Sequence, residues 1–119
     1  MTAPNSVGRL TKAQRRQARA VAEAAWRWRL SEALRDLEGL FSDWRKGHID
    51  AFQLAEAIHD FHQGPNRELW KEYNTGLPPE ELAARAIALD EVPPEEIPEG
   101  LREALRERIA FWKDFESRP

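Results

Sequence analysis

His59 and His62 stand three residues apart, with His48 and Asp50 shortly before them, and this grouping comes closest to a metal site in a chain of 119 residues. An i, i+3 pair on a helix can aim two imidazoles to one side, and a third ligand from the loop would complete a zinc-like set. Such a set would make the protein a metal-dependent enzyme through His48, His59 and His62. Against this, the pattern is not HExxH, cysteine is absent, and His62 falls on the same helical stripe as Leu54, Ile58 and Phe61. The plainer reading makes His62 a core-edge histidine bonded to backbone or a neighbour and His59 a rim residue. No metal and no other cofactor is expected.

Carboxylates are the next candidates. Glu56, Asp60, Glu68 and Glu72 could supply a general acid and base if two of them shared a pocket. Their spacing argues instead for a solvated surface: Glu56 and Asp60 lie opposite the apolar face of their helix, and Glu68 and Glu72 flank Lys71. The serines have no G-x-S-x-G context, and neither a phosphate-binding G-x-x-x-x-G-K-[ST] loop nor a dinucleotide fingerprint is present. No nucleophile, base and anion hole assemble, so no catalytic residue and no enzymatic activity are expected.

Charge is the strongest remaining signal. Residues 1–46 hold ten Lys/Arg and five Asp/Glu, a net of +5, while residues 47–119 hold eight and sixteen, a net of −8. An asymmetry of this size points to an acidic partner, to nucleic acid, or to mutual neutralisation of the two halves. Lys12, Arg15, Arg16, Arg19 and Arg27 recur at helical spacing, with Trp28 beside them as a candidate anchor, since interface centres favour large aromatics and arginine. These six residues are the expected partner-binding site. The favoured function is a non-enzymatic interaction or regulatory adaptor that docks on an acidic or helical protein surface, a second copy of the chain included. A nucleic-acid-associated regulator using the same basic face is the alternative, weakened by a sequence pI of about 5.7 and by the sixteen acids of the remainder. The metal-dependent enzyme ranks third.

The elements that must position these residues are helical. Ala, Leu, Glu and Arg dominate, β-branched residues are scarce, and no period-2 alternation is long enough for a strand. No apolar run approaches the roughly 18–20 residues of a membrane span, and MTAPNSVGRLTK lacks the apolar centre of a secretory signal, so a soluble, cytoplasmic protein with no membrane partner is expected. Residues 1–10 read as a flexible arm and 11–119 as a single all-α domain, a small five-helix, bundle-like fold with a long N-terminal helix.

Thr11 and Gln14 have capping-box spacing, and the helical pattern then runs to about Lys46, where Gly47 supplies a stop. Asp50 and Gln53 form a second box, with Ile49 and Leu54 as its hydrophobic staple, predicting a helix over 51–63 that ends at Gly64-Pro65. Further helices are predicted over 66–74, 79–90 and about 98–115. The last of them carries Leu101, Leu105, Ile109 and Trp112 on one stripe, with Phe111 and Phe115 beside it.

The first helix has two apolar lines. At 100° per residue, Ala22, Leu30, Ala33, Leu37, Leu40, Phe41 and Trp44 lie within about 60° of Trp26, an azimuth that the cations take over toward the N-terminus. Leu10, Val21, Ala24 and Trp28, with Gln14 and Gln17, lie near 200°. An unbroken helix over 11–46 would be about 54 Å long, against roughly 35 Å for the diameter of a compact domain of this size. Two outcomes are therefore expected: either residues 11–29 project as a docking arm, or the helix breaks near Trp28–Ser31. In a third arrangement Arg15, Arg16 and Arg19 would lie against Glu99, Glu103 and Glu107.

Overall fold

The computed structural model describes residues 9–74 and 76–117, so the expected N-terminal arm lies, apart from Arg9 and Leu10, outside the described residues. The fold is all-α. In chain order the helices are α1 (Lys12–Arg45), α2 (Ala51–Phe61), α3 (Arg67–Asn74), α4 (Pro79–Ala88), α5 (Glu99–Ala104) and α6 (Arg106–Glu116), with a π-helical turn over His62–Asn66 and a 3-10 turn over Pro94–Glu96. Among the described residues there is no strand. No helix among them is long and apolar enough to cross a membrane.

The starts and stops of α1 and α2 follow local chemistry. Thr11 N–H donates to Gln14 Oε1 at 3.0 Å while Gln14 N–H donates to Thr11 Oγ1 at 3.0 Å, a reciprocal box that satisfies two orphan donors at the start of α1. Asp50 and Gln53 repeat the arrangement at 2.8 Å in both directions. Between them α1 closes in a Schellman motif, with His48 N–H donating to Asp43 O and Gly47 N–H to Trp44 O. This places Gly47 at φ 81°, a left-handed conformation that is costly for any residue with a Cβ. Asp90 adopts the same role after α4 at φ 56°, and Glu91 N–H donates to Ala86 O.

Two boundaries depart from the sequence pattern. Gly64-Pro65 does not end the helix: α2 passes through the π turn directly into α3. Pro65 has no N–H for the ordinary i→i−4 bond, and a widened turn is one way for a helical chain to pass such a residue. The single helix expected over 98–115 is divided at Leu105, which has φ −98° and ψ 6° and separates α5 from α6.

Within the span expected as one domain, contacts cluster into two compact units. The first comprises residues 1–25 and 77–119, the second residues 26–76, and α1 contributes to both. The first unit holds most of the buried apolar residues. Ala18, Ala25, Leu101 and Leu105 are fully buried, as are Ala83 and Ala84, and Val21 and Ala86 retain only 1% exposure. Small residues on helix faces let backbones approach closely, and each of the larger side chains contributes about 1.5–3 kcal/mol by leaving water. α4 packs on α6 in this unit. There Glu81 accepts from Arg108 Nε at 2.8 Å and from Trp112 Nε1 at 3.0 Å. The Arg85 guanidinium lies 6.0 Å from the centre of the Trp112 ring.

The second unit is built from the C-terminal part of α1 with α2, the π turn and α3. Leu54 and Leu69 are its buried apolar residues. Trp26 lies parallel to Tyr73 with centroids 6.0 Å apart, and Arg29 bonds both the Glu72 carboxylate and the Tyr73 hydroxyl. Of the stripe expected to enter a core, Ala22 is buried, Trp26, Leu30, Ala33, Leu37, Leu40 and Phe41 are half-buried, and Trp44 is exposed.

Candidate functional site

α1 is continuous from Lys12 to Arg45, so it does not break near Trp28–Ser31, and its first half is not a bare projecting arm. Leu10, Ala18, Val21, Ala22, Ala24 and Ala25 are buried. Each apolar line is shared between the units. Leu10, Val21 and Ala24 of the line near 200° are buried in the first unit together with Ala22 of the line through Trp26, whereas Trp28 of the former and the rest of the latter fall in the second unit.

With that inner face committed, Lys12, Arg15, Arg16 and Arg19 are all exposed on the first unit. The first turn of α1 contains no acid. Arg15 Nη1 donates to Leu10 O at 3.0 Å, tying its side chain back over the start of the helix. Arg16 and Arg19 form no ion pair among the described residues. The third arrangement, with Arg15, Arg16 and Arg19 against Glu99, Glu103 and Glu107, forms no ion pair among the described residues: Glu103 pairs with Arg106 at 3.0 Å and Glu99 with Arg102 at 4.0 Å, both within their own segment. Lys12, Arg15, Arg16 and Arg19 therefore form a solvent-facing cationic ladder, four charges along about two turns of helix.

Arg27 and Trp28 belong to the second unit and are exposed, Trp28 retaining 40% of its surface. The six expected residues thus divide four and two between the units.

The histidines are not brought together. His48 lies 3.6 Å from Asp43, His62 faces Asn66 Nδ2 at 3.5 Å, and His59 is exposed. Among the described residues no group of three or more His, Asp and Glu side chains could hold a metal ion. His62 is exposed rather than at the core edge, and Ile58, one turn earlier on the same stripe, is exposed as well. Of the carboxylates, Glu56 and Asp60 are exposed as expected, whereas Glu68 and Glu72 do share a hollow of about 510 Å³ with Arg29, Gly64, Pro65 and Leu69. Arg29 occupies Glu72 there, so the pair stands as an ion pair with a neighbouring acid.

Two features were missed by sequence reasoning. On α6, Phe111 and Phe115 stack 5.9 Å apart, 54% and 49% exposed, with the Trp112 ring edge-on to both. On the second unit, His62, Gln63, Asn66, Arg67, Trp70 and Lys71 line an open hollow of about 370 Å³. Their spacing, pairs of residues recurring every four, was the signal available for it. No family model matches this sequence, and no curated protein or solved structure matches it either.

Proposed function

We propose that the protein is a non-enzymatic interaction protein whose α1 ladder docks on an acidic surface of a partner protein. The observation that carries this is the pairing state of the ladder. Arg16 and Arg19 reach solvent without an ion pair among the described residues, although the same chain carries an excess of acids. Internal neutralisation would have been the bland use of these charges. Unpaired cations on a rigid, packed helix attract an acidic partner over a Debye length of about 8 Å and set its orientation on arrival. A helix whose inner face is buried also presents them with less ordering cost than a loose arm would.

The test is a comparative capture from the native cell with the intact chain and with an Arg16→Glu, Arg19→Glu double variant. Partner proteins recovered by the first, lost from the second and released by moderate salt support the reading. Recovery that depends on nucleic acid, abolished by nuclease treatment, would favour the basic face as a nucleic-acid surface instead. Equal recovery by both chains would remove the ladder from the function.

A further inference from the structure

The hollow at the π turn has a lining chemistry unlike the rest of its unit. Residues 26–76 hold seven Lys/Arg and nine Asp/Glu, yet the hollow is lined by Arg67 and Lys71 and by no carboxylate. The acids of α3 are sorted to its other edge, where Glu68 and Glu72 line the separate hollow with Arg29. Arg67 forms no ion pair among the described residues. Trp70 keeps 52% of its surface exposed and makes no ring contact among the described residues, and its carbonyl is held by Asn74 Nδ2 at 2.8 Å. Asn66 and Gln63 add two primary amides, and His62 an imidazole whose Nδ1 lies 3.5 Å from Asn66 Nδ2.

The backbone explains why these groups gather. Residues 62, 63, 66, 67, 70 and 71 would form one face of a straight helix, and the π turn over His62–Asn66 lies inside that face. Single π turns within helices recur at functional sites. The volume, about 370 Å³, falls in the range of small-ligand sites, though the hollow is open to solvent along one side.

We propose that this hollow binds a phosphate carried on a planar heterocycle, the chemistry of a nucleoside phosphate, whether free or at a position in a single strand. A guanidinium and an ammonium suit a phosphate, the guanidinium through a two-pronged hydrogen-bonded pair. A half-exposed indole offers a stacking face to a base, and the Asn66 and Gln63 amides can both donate and accept at a ring edge. The surface lies in a different unit from the α1 ladder and is independent of the partner-binding reading.

The experiment is calorimetric titration of the full chain with adenosine 5′-monophosphate, inorganic phosphate, adenosine and a thymidine hexanucleotide. The indole Nε1–H resonance of Trp70, assigned by its loss in Trp70→Phe, provides a second readout. Saturable binding of the monophosphate that shifts this resonance, weakens about tenfold or more in Arg67→Glu and in Trp70→Ala, and persists in Arg16→Glu, Arg19→Glu is the expected result. Adenosine and phosphate alone should each bind at least tenfold more weakly. Tighter binding of the hexanucleotide with the same variant sensitivity would assign the source to a strand. No saturable binding of either nucleotide at millimolar concentration would overturn the proposal, as would binding indifferent to Arg67 and Trp70. Displacement of the monophosphate by an acidic peptide that binds more tightly would reassign the hollow to a protein ligand.

Discussion

The Glu81 carboxylate accepts the indole N–H of Trp112 at 3.0 Å, and its other oxygen accepts Arg108 Nε at 2.8 Å. One acid in the first turn of α4 thereby fixes two residues one helical turn apart on α6. Both partners are partly shielded, the side chains of Glu81 and Arg108 being 28% and 20% exposed. Truncation would strand a donor on each. Glu81→Ala should lower stability by about 1–3 kcal/mol, with Glu81→Gln intermediate because it keeps one acceptor. Chemical denaturation measures this, and a loss of stability below about 0.5 kcal/mol would show that the Glu81 bonds add little to the packing of α4 on α6.

The turn between α1 and α2 should respond to two substitutions by different routes. Asp50→Ala removes the acceptor for Gln53 N–H and should cost about 1 kcal/mol. Gly47→Ala loses no contact, since nothing lies within 4 Å of the added Cβ, but forces alanine into φ 81° at a cost of about 1–2 kcal/mol. The two costs arise in adjacent elements with separate partners and should add in the double variant. Marked non-additivity would mean that the caps form one cooperative turn.

These local devices were legible in the sequence because they depend on residues within five positions of one another. Thr11 with Gln14, Asp50 with Gln53, and Gly47 behave as their spacing requires. The two apolar lines of α1 were equally readable, but which of them would be buried was not. That choice depends on Ala83, Ala84, Leu101 and Leu105, more than fifty residues away, which complete the core of the first unit. Leu105 gave no warning of the break between α5 and α6, because it keeps the same apolar period across the interruption. The α1 cations were visible as a site from type and spacing. The Trp70 hollow was not recognised, because Gly64-Pro65 reads as a stop and so separates His62 and Gln63 from the residues they adjoin.

Gly39 sits inside α1 at an exposed position, and a Cβ there would meet nothing within 4 Å. Alanine keeps the helical conformation while restricting the unfolded chain. Gly39→Ala should therefore raise stability by about 0.5–1 kcal/mol. A thermal scan showing no gain would place this part of α1 outside the cooperative unit that unfolds.

Within the ladder, Arg15 and its neighbours should separate by their contacts. Arg15 Nη1 bonds the Leu10 carbonyl, so Arg15→Ala should lower the melting temperature modestly. Arg16→Glu with Arg19→Glu touches no such bond, and both positions are exposed and clear of the cap and the core, so its melting temperature should stay within about 2 °C of the parent. Large destabilisation by the double reversal would show these arginines to be structural, leaving any loss of partner binding without meaning.

Trp28 gives the sharpest test of the second unit's expected contact surface. Its indole is 40% exposed, against the half-buried Trp26 that lies parallel to Tyr73. Removing each ring in turn should therefore subtract different emission. The difference spectrum between the parent chain and Trp28→Phe should be red-shifted and readily quenched by acrylamide, whereas that for Trp26→Phe should be bluer and better protected. Trp26→Phe should also destabilise the unit, because it shrinks the ring stacked beside the Arg29, Glu72 and Tyr73 cluster. Trp28→Phe should leave stability nearly unchanged, since the ring it shortens already meets solvent over 40% of its surface. A blue, protected Trp28 in a chain shown to be monomeric would place the ring in a core and remove it from the expected contact surface.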